Sequence, residues 1–353
     1  MISRTIKILA CFASVVLLTT CKRPFSDRAQ DLSIFRFSEE GSPVTMDPVQ
    51  SATQYANLMT TTIFDQLDEL KPLVLKPDYA EKFTARNLPE LGIVYLYFNM
   101  ADPKIGHHPD PEQDRRNLLL RKAISAAYNW PQRNKRYYNG IATLYPGTIP
   151  PGLDGYDENF TPEMTKPDYE KAKAYLEEGG WTPENLPVLD YNATSATLYK
   201  NFYEQFRGWM EKIGYPREKI KFVPYATFGD YNKAVKQREC TLMGMGWGLD
   251  YPDAENVLQL FYGPNATPGS NSSNYNNPEY NELFKKSIVM QPGPERSEIY
   301  KKLNQMVIDD VPAICGLSRN RPNLWHKNVV FFPSRNPHGS LLKYALVFDD
   351  SDQ

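Results

Sequence analysis

The sequence predicts an α/β protein. Short apolar runs with the composition of buried strands alternate along the chain with longer segments whose apolar residues recur at helical spacing. Strands that alternate with helices are typical of sheets covered by helices. With 353 residues, of which 41% are hydrophobic, the chain can form two domains and a sizeable core.

The first third of the chain contains two predicted strands and two predicted helices. Residues 68–92 carry little regular pattern and are predicted to be loops. Alternating or dense apolar residues predict strands over Leu32–Phe37 and Ile93–Phe98, and helical spacing predicts helices over Ala52–Leu67 and Leu118–Tyr128, the latter ending before Pro131.

The rest of the chain repeats this alternation after a Pro- and Gly-rich loop over residues 137–156. Pro167 is predicted as a first helical residue and Gly179 as the residue that ends that helix. Further helices are predicted over 196–212, 228–235, 278–289 and 294–309, and strands over Lys219–Val223, Thr241–Met245, Val311–Leu317 and Leu341–Phe348.

The amino terminus has the pattern of a bacterial targeting signal. Arg4 and Lys7 precede an apolar run, Ile8–Leu18, that is too short to span a bilayer. The following Leu18–Cys21 segment resembles a lipobox, in which Cys21 is acylated. We therefore expect a lipoprotein signal peptide over residues 1–20 and a tether over 21–30; an ordinary signal peptide with a coincidental cysteine is the alternative.

Charge and motif content exclude several classes of function. The net charge is −2, and no basic stripe with interleaved aromatics occurs, so we expect no nucleic-acid partner. The sequence contains no GxSxG, HExxH or phosphate-loop motif and only four histidines. We predict no catalytic residues, no metal site and no cofactor, and therefore not an enzyme.

Cys240 and Cys315 are the cysteines left outside the signal peptide and the lipobox. A compartment outside the cytoplasm permits a disulfide between them. Two buried free thiols are the alternative. Neither cysteine has a second cysteine or a histidine at ligand spacing, so no metal site is predicted here.

The stretch Gly244–Phe284 is the most distinctive part of the chain. An apolar run, Thr241–Met245, is followed by Trp247 and then by two acids spaced three apart, Asp250 and Asp253. An apolar strand that opens into a loop with an aromatic ring and a carboxylate is a common way to place a ligand site at the edge of an α/β sheet. The sequence therefore predicts a ligand site directly after this strand.

This stretch also carries a family resemblance. The run GWGLDYPDAENVLQLF, followed by SSNYNNPEYNELF, resembles the carboxyl-terminal lobe of family 5 solute-binding proteins, the peptide, nickel and sugar receptors of ABC importers. Six further blocks occur in the family's order and extend the resemblance over residues 31–350: Ser38–Pro48, Tyr95–Met100, Leu118–Asn129, Thr148–Asp157, Tyr169–Trp181 and Glu295–Leu317.

The resemblance implies a type II periplasmic-binding-protein-like fold with two lobes and two hinge crossovers. Tyr95–Met100 and Ala313–Leu317 match the crossovers. Lobe I would then comprise residues 31–100 and 318–353, and lobe II residues 101–317. A large block that the family carries between Asn87 and Tyr95 is reduced to a few residues here, so lobe I is expected to be truncated.

The resemblance also implies a set of ligand-binding residues. In peptide-binding members, an aspartate at the position of Asp250 pairs with the α-amine of the ligand, because a buried ammonium needs a carboxylate partner. The residues implied in lobe I are Glu40, Gly41 and Ser42, which would extend the sheet onto a peptide by strand addition, and those in lobe II are Trp247, Asp250, Tyr251, Asn271 and Ser272.

Structural roles remain open for the lobe II candidates. Asp250 and Asp253 would also suit capping of a helix near Glu255, and for Asp253 capping is the favoured interpretation. Trp247 could pack in the core of the lobe rather than against a ligand. Turn formation explains Asn271 and Ser272 as well as ligand contact does.

The predicted function is that of a substrate-binding lipoprotein. It would be a monomer on the periplasmic or cell-surface side of the membrane, held there by its lipid, capturing short peptides for an ABC importer permease. The alternative is a reduced, non-transport interaction or sensory lipoprotein, or a degenerate copy without high-affinity binding. A hydrolase or a metal carrier is a third and weaker interpretation.

Overall fold

The computed structural model describes residues 80–327, 329–331 and 346–348. The predicted signal peptide, Cys21, the strand Leu32–Phe37 and the helix Ala52–Leu67 lie outside the described residues, as do Glu40, Gly41 and Ser42. The division into two lobes therefore stays a prediction. Residues 101–317, predicted as lobe II, are all described.

A six-stranded sheet forms the centre of the structure, with the spatial order β3-β7-β2-β6-β4-β5. Neighbours from β3 to β6 are antiparallel, and β6, β4 and β5 are parallel. Its strands are β2 (Gly92–Phe98), β3 (Thr143–Leu144), β4 (Leu189–Thr194), β5 (Ile220–Tyr225), β6 (Leu242–Gly248) and β7 (Ala313–Ser318).

Two small antiparallel sheets accompany the central one. They pair β1 (Phe83–Pro89) with β8 (Asn320–His326), and β9 (Val329–Phe331) with β10 (Leu346–Phe348). Strand β1 leads into β2, and β7 leads into β8. Because β2 and β7 are neighbours, the chain enters and leaves the central sheet through one pair of adjacent strands.

Helices cover the central sheet. They are α1 (Pro111–Ala127), α2 (Trp130–Tyr137), α3 (Tyr169–Glu178), α4 (Thr197–Lys212), α5 (Phe228–Lys236), α6 (Glu255–Leu258), α7 (Pro278–Ser287) and α8 (Pro294–Asp310). Among the described residues, no helix combines the length and the apolar character that crossing a membrane requires.

Side-chain caps determine where several helices begin. Asp110 accepts from the Glu112 amide, Asn129 from the Gln132 amide and Asp168 from the Lys171 amide, at 2.8–3.0 Å. Each cap satisfies an amide that has no partner within its own helix. Such a polar residue therefore marks the start of α1, α2 and α3.

The α/β class is confirmed, and most predicted elements occur with shifts at their ends. Gly179 ends α3 as predicted. The prediction for Pro167 is wrong, because Asp168 caps the helix and α3 begins at Tyr169. Helix α1 begins at Pro111, seven residues before the predicted Leu118, since Asp110 supplies the cap.

No element was predicted at β1, α2, β3 or β4, and no bounds were predicted for β8 and β9. Strand β4 contains Asp190 and Asn192, which weaken its apolar pattern. Asn192 is nevertheless buried, and its side chain accepts from the Thr241 amide at 3.0 Å. The strand thus depends on a tertiary hydrogen bond that the local sequence does not indicate.

The hydrophobic core lies on both faces of β2 and β7, the strands predicted as crossovers. Tyr95, Leu96, Tyr97 and Phe98 of β2 are all at most 3% exposed. A strand buried on both faces reads as a continuous apolar run, which is why this one was predictable. Cys240 and Cys315 are free thiols, so the disulfide is not formed; burial raises the pKa of Cys240 to about 11.

Gly316, in the middle of β7, allows Trp130 of α2 to pack directly on the strand. A Cβ added at Gly316 would lie 2.3 Å from the indole Nε1 of Trp130. We expect Gly316→Ala to displace the ring and lower the free energy of unfolding by about 1–3 kcal/mol, the usual range for overpacking. Urea unfolding measures this difference.

Gly208→Ala is the matched control. Gly208 is exposed on α4, and an added Cβ would meet no atom within 4 Å outside the helix backbone. Alanine there should leave stability unchanged or raise it by up to ~1 kcal/mol through helix propensity. Equal stability of Gly316→Ala and the wild type would contradict the tight packing of Trp130 on β7.

Candidate functional site

Among the described residues, the edge of strand β6 that faces β4 is hydrogen-bonded to a neighbouring strand along only part of its length. Strand β6 pairs with β2 from Leu242 to Gly248. Its pairing with β4 is limited, among the described residues, to Leu242 and Met243. From Gly244 onward, the edge of β6 that faces β4 therefore has no neighbouring strand in the part of the chain that the structure describes.

The outward backbone groups of this edge belong to glycines. The Leu249 amide donates to the Leu91 carbonyl at 2.9 Å, so Leu249 points its backbone towards β2. Hydrogen-bonding direction alternates along an antiparallel strand. The backbone groups of Gly244, Gly246 and Gly248 therefore point away from β2, and the Tyr231 hydroxyl donates to the Gly244 carbonyl at 3.2 Å.

Gly246 and Gly248 are exposed. With no side chain at either position, another backbone can approach this edge closely. A Cβ added at Gly248 would meet no atom within 4 Å. The lack of a side chain here is thus not required by packing among the described residues.

An aromatic cavity of about 430 Å³ lies beside this edge. It is bordered by β2 and by Gly244–Gly248 of β6, with walls from α2, α4 and α5. A Cβ at Gly244 would lie 3.4 Å from the Tyr191 hydroxyl, so the glycine face of β6 is the face towards the cavity. Its aromatic residues are Tyr95, Tyr128, Tyr138, Tyr191, Tyr199, Phe202, Phe228 and Tyr231.

Two arginines also line the cavity. Arg319 pairs with Glu90, its Nε lying 2.9 Å from a carboxylate oxygen. Arg133 is 2% exposed, and its guanidinium carbon lies 3.9 Å from the ring centroid of Phe202. Burial raises the pKa of Tyr128 and of Tyr191, and the charge on Arg133 partly offsets this rise, so both phenols remain neutral hydrogen-bonding groups at neutral pH.

Trp247 lies on the other face of β6. Side chains alternate between the faces of a strand, so Trp247 points away from the face that Gly246 and Gly248 present to the cavity. Its indole N–H donates to the Asn256 side-chain oxygen at 2.8 Å. Trp247 is half-buried and packs against the core, and it does not line the cavity.

The loop after β6 is fastened to α8 through Asp253. One carboxylate oxygen accepts from Arg296 at 2.7 Å, and the other accepts from the Tyr300 hydroxyl and the Glu255 amide, both at 3.0 Å. As predicted, Asp253 accepts from an amide in the first turn of α6, although the N-cap residue is Ala254 and not Asp253. A fixed Asp253 also fixes the path of the chain from Gly248 to α6.

Asp250 and Tyr251 lie in this loop, just beyond the open edge. Asp250 is exposed among the described residues, and its amide lies 3.3 Å from the Asn256 side-chain oxygen. Tyr251 is 43% exposed, and its hydroxyl donates to Glu255. The structure therefore places these two candidates at the surface near the end of β6.

Asn271 and Ser272 lie in a buried loop away from the open edge. Asn271 is 0% exposed, and its side-chain amide donates to the Tyr262 and Tyr275 carbonyls while its oxygen accepts from Ser273. With these groups already in use, Asn271 holds the loop closed. Neither Asn271 nor Ser272 lines the cavity.

A second cavity, of about 480 Å³, lies between the carboxyl-terminal ends of α1 and α8. Lys122, Lys166 and Lys171 border it together with Asp168 and Asp309. None of the predicted site residues contributes to it. No group of three or more potential metal ligands occurs within residues 80–327, 329–331 and 346–348.

Sequence reasoning missed Arg133 and the tyrosines around it. The signal was present: Trp130, Arg133 and Tyr137 recur at helical spacing, which places them on one face of a helix. Pro131 was interpreted as ending the preceding helix. In the structure it is the second residue of α2, a position where proline costs no hydrogen bond.

Residues 42–269 match the model of the bacterial extracellular solute-binding proteins, family 5 middle. Among curated relatives, the heme-binding protein A of Haemophilus influenzae is 24% identical over 279 residues, covering 75% of this chain. The dipeptide-binding protein of Escherichia coli is 26% identical over 238 residues, covering 64% of this chain. These matches cover 46% and 40% of the two relatives, so the chain spans less than half of their length.

Solved structures share the fold at low sequence identity. HbpA2 from Haemophilus parasuis superposes with a TM-score of 0.63 at 20% identity, covering 84% of this chain and 55% of that one. The periplasmic binding protein DppA from Helicobacter pylori, in complex with the peptide STSA, gives 0.59 at 20% identity, covering 76% and 49%. The predicted type II fold class is confirmed by these neighbours.

Asp253 offers a test of how the site loop is held. We expect Asp253→Ala to lower the free energy of unfolding by about 1–3 kcal/mol, because it removes three hydrogen bonds and leaves the buried Arg296 without its closest partner. Thermal or urea unfolding measures the change. Glu282→Ala, at an exposed position of α7, should stay within about 0.5 kcal/mol of wild type. Equal effects of the two substitutions would contradict the fastening role.

Proposed function

Because this chain belongs to the family 5 bacterial extracellular solute-binding proteins, we propose that it captures short peptides for an ABC importer. Membership of the family confirms that it is a binding protein rather than an enzyme. Peptide capture is supported by relatives named as dipeptide-binding and oligopeptide-binding proteins. The peptide is the ligand, and the importer permease is the protein partner of the loaded receptor.

One observation carries this proposal: the open edge of β6 beside the aromatic cavity. The outward N–H and C=O groups of Gly246 and Gly248 match those of an extended peptide laid alongside the strand. Hydrogen bonds between backbones give affinity without reading side chains. The adjoining cavity, about 430 Å³ in volume, would then accommodate a side chain.

Asp250 is the proposed partner of the peptide α-amine. It follows the open edge by two residues, so a peptide paired with Gly248 would place one end near its carboxylate. In the described residues Asp250 is exposed, and an exposed ion pair contributes only about 0–1 kcal/mol. Charge-assisted hydrogen bonding becomes stronger once the bound peptide excludes water from the pair.

The other candidates take different roles in this proposal. Tyr251 borders the amine end of the peptide, whereas Trp247, Asn271 and Ser272 support β6 and the neighbouring loop from outside the cavity. Glu40, Gly41 and Ser42 are proposed to pair with the peptide from lobe I. A peptide held on both sides would complete a three-stranded arrangement with β6.

Localisation and anchoring complete the proposal. Acylation of Cys21 would hold the receptor on the periplasmic or cell-surface side of the membrane, since several acyl chains give firm attachment where one alone is marginal. The protein would act as a monomer that delivers its peptide to the permease.

The exposure of Asp250 favours a second candidate function. A chain that exposes this carboxylate would suit a reduced interaction or sensory lipoprotein without high-affinity peptide binding. The two functions differ in affinity for free peptides, which calorimetry measures directly.

Gly248→Val tests the open edge. The added side chain clashes with no atom of the protein within 4 Å of its Cβ, but it projects from the cavity face of β6 and would occupy space that a peptide bound along the edge needs. We expect affinity for trialanine to fall about tenfold or more, which corresponds to losing about one hydrogen bond to the peptide. Gly208→Val, on the exposed face of α4, should bind as the wild type does. Unchanged trialanine affinity in Gly248→Val would contradict strand addition at β6.

Asp250→Asn tests the amine partner through a double-mutant cycle. For the wild type, N-acetylation of trialanine should reduce affinity about 3- to 30-fold, since it removes one charge-assisted hydrogen bond. In Asp250→Asn the acetylated and free peptides should bind about equally. An unchanged effect of acetylation in the variant would assign the amine to another residue.

A further inference from the structure

Arg133 is a charged side chain enclosed by aromatic rings. Four rings lie within 6 Å of its guanidinium carbon: those of Phe202, Tyr137, Tyr128 and Trp209, at 3.9, 5.7, 5.6 and 5.8 Å. The side chain is 2% exposed. An arginine stays protonated in such surroundings, so a full positive charge is buried here.

Two nitrogens of this guanidinium have no acceptor. Nε and Nη2 are buried and make no hydrogen bond with any atom of the described residues. The titratable groups beside this guanidinium are the phenols of Tyr128, Tyr191 and Tyr138, which carry no charge at neutral pH; the Tyr191 hydroxyl lies within hydrogen-bonding reach of it. Arg319, on the same cavity, differs in having the Glu90 carboxylate beside it.

Aromatic contacts offset the burial of this charge only in part. A cation over a ring is stabilised by about 0.5–2 kcal/mol, whereas removing an ion from water costs several kcal/mol. Buried donors are nearly always satisfied in native structures, so Nε and Nη2 call for an acceptor that the described residues do not supply. Because Arg133 borders the cavity of about 430 Å³, that acceptor can come from a bound molecule.

We propose that Arg133 binds an oxyanion of the captured solute and makes the cavity selective for acidic ligands. For a peptide ligand, this inference rests on the proposed function. In that case β6 holds the peptide backbone, and Arg133 binds a carboxylate of the peptide that reaches into the cavity. A planar guanidinium with free donors fits a carboxylate in two-point geometry. Tyr191 and Tyr199 line the same cavity, and a tyrosine hydroxyl can donate to the same group.

Calorimetry with matched tripeptides tests this selectivity. The wild type should bind Ala-Glu-Ala about 10- to 100-fold more tightly than Ala-Gln-Ala, the range for a hydrogen-bonded charge pair. Arg133→Leu should remove that preference. Arg136→Leu removes one positive charge from the exposed side of the same helix and should retain it.

A third peptide separates two sources of the carboxylate. If the carboxyl terminus occupies the cavity, amidation of Ala-Gln-Ala will weaken binding to the wild type and leave binding to Arg133→Leu unchanged. If an acidic side chain occupies the cavity, replacing Glu by Gln in the peptide will weaken binding to the wild type and leave binding to Arg133→Leu unchanged. Either pattern supports the oxyanion site. If neither comparison depends on Arg133, the oxyanion site is overturned.

The thermal stability of Arg133→Leu tests whether the role of Arg133 is purely structural. Replacing a buried charge that lacks an acceptor by an apolar side chain should leave the Tm of the ligand-free protein unchanged or raise it. A role in holding α2 against α4 predicts a lower Tm and unaltered peptide preference. That pair of results would overturn the proposal.

The same binding measurements distinguish a failure of the Arg133 site from a failure of peptide capture. Tight binding of Ala-Glu-Ala and Ala-Gln-Ala with equal affinity overturns the Arg133 site and leaves the peptide function standing. Binding of inorganic phosphate that Arg133→Leu abolishes, without binding of any tripeptide, supports the oxyanion site and overturns peptide capture. Absence of binding by all these probes overturns both.

Discussion

The structure depends on one asymmetry in its central sheet: β6 is fully paired with β2 but, in the described residues, is joined to β4 at two positions alone. Backbone groups that lack a partner must find water, a ligand or another strand. Glycine at the outward positions of β6 keeps those groups accessible, and Asp253 fixes the loop that follows through Arg296 and Tyr300. These hydrogen bonds hold the loop beside the edge, which is the proposed peptide-binding surface.

In the proposed function, the cavity beside this edge would combine two different kinds of recognition. A strand edge binds any extended backbone, whereas a buried guanidinium discriminates strongly by charge. Arg133 and the glycines of β6 border the same space, so a single ligand can use both. The aromatic lining suits this arrangement, because rings stabilise a cation without supplying a competing carboxylate.

Much of the fold was predictable from local sequence, and the candidate site was predictable only in part. Ile93–Phe98 is apolar on both faces, so this strand was recognised without tertiary information. The helix end at Gly179 was recognised as well, although the residue in the left-handed conformation is Gly180. The family resemblance implied Trp247 as a ligand residue, with core packing as the alternative, and the strand was predicted to end at Met245. The strand continues to Gly248, and its alternation turns Trp247 away from the cavity. Arg133 was missed because Pro131 suggested a break, although proline is compatible with the first turn of a helix.

Amide hydrogen exchange at the open edge tests the central claim most directly. The Leu249 amide already donates to Leu91, so its exchange should not change when peptide is added. The amides of Gly246 and Gly248 point outward and should become protected in the presence of saturating trialanine. Saturating binding of trialanine, with exchange at Gly246 and Gly248 as fast as in the ligand-free protein, would contradict the account.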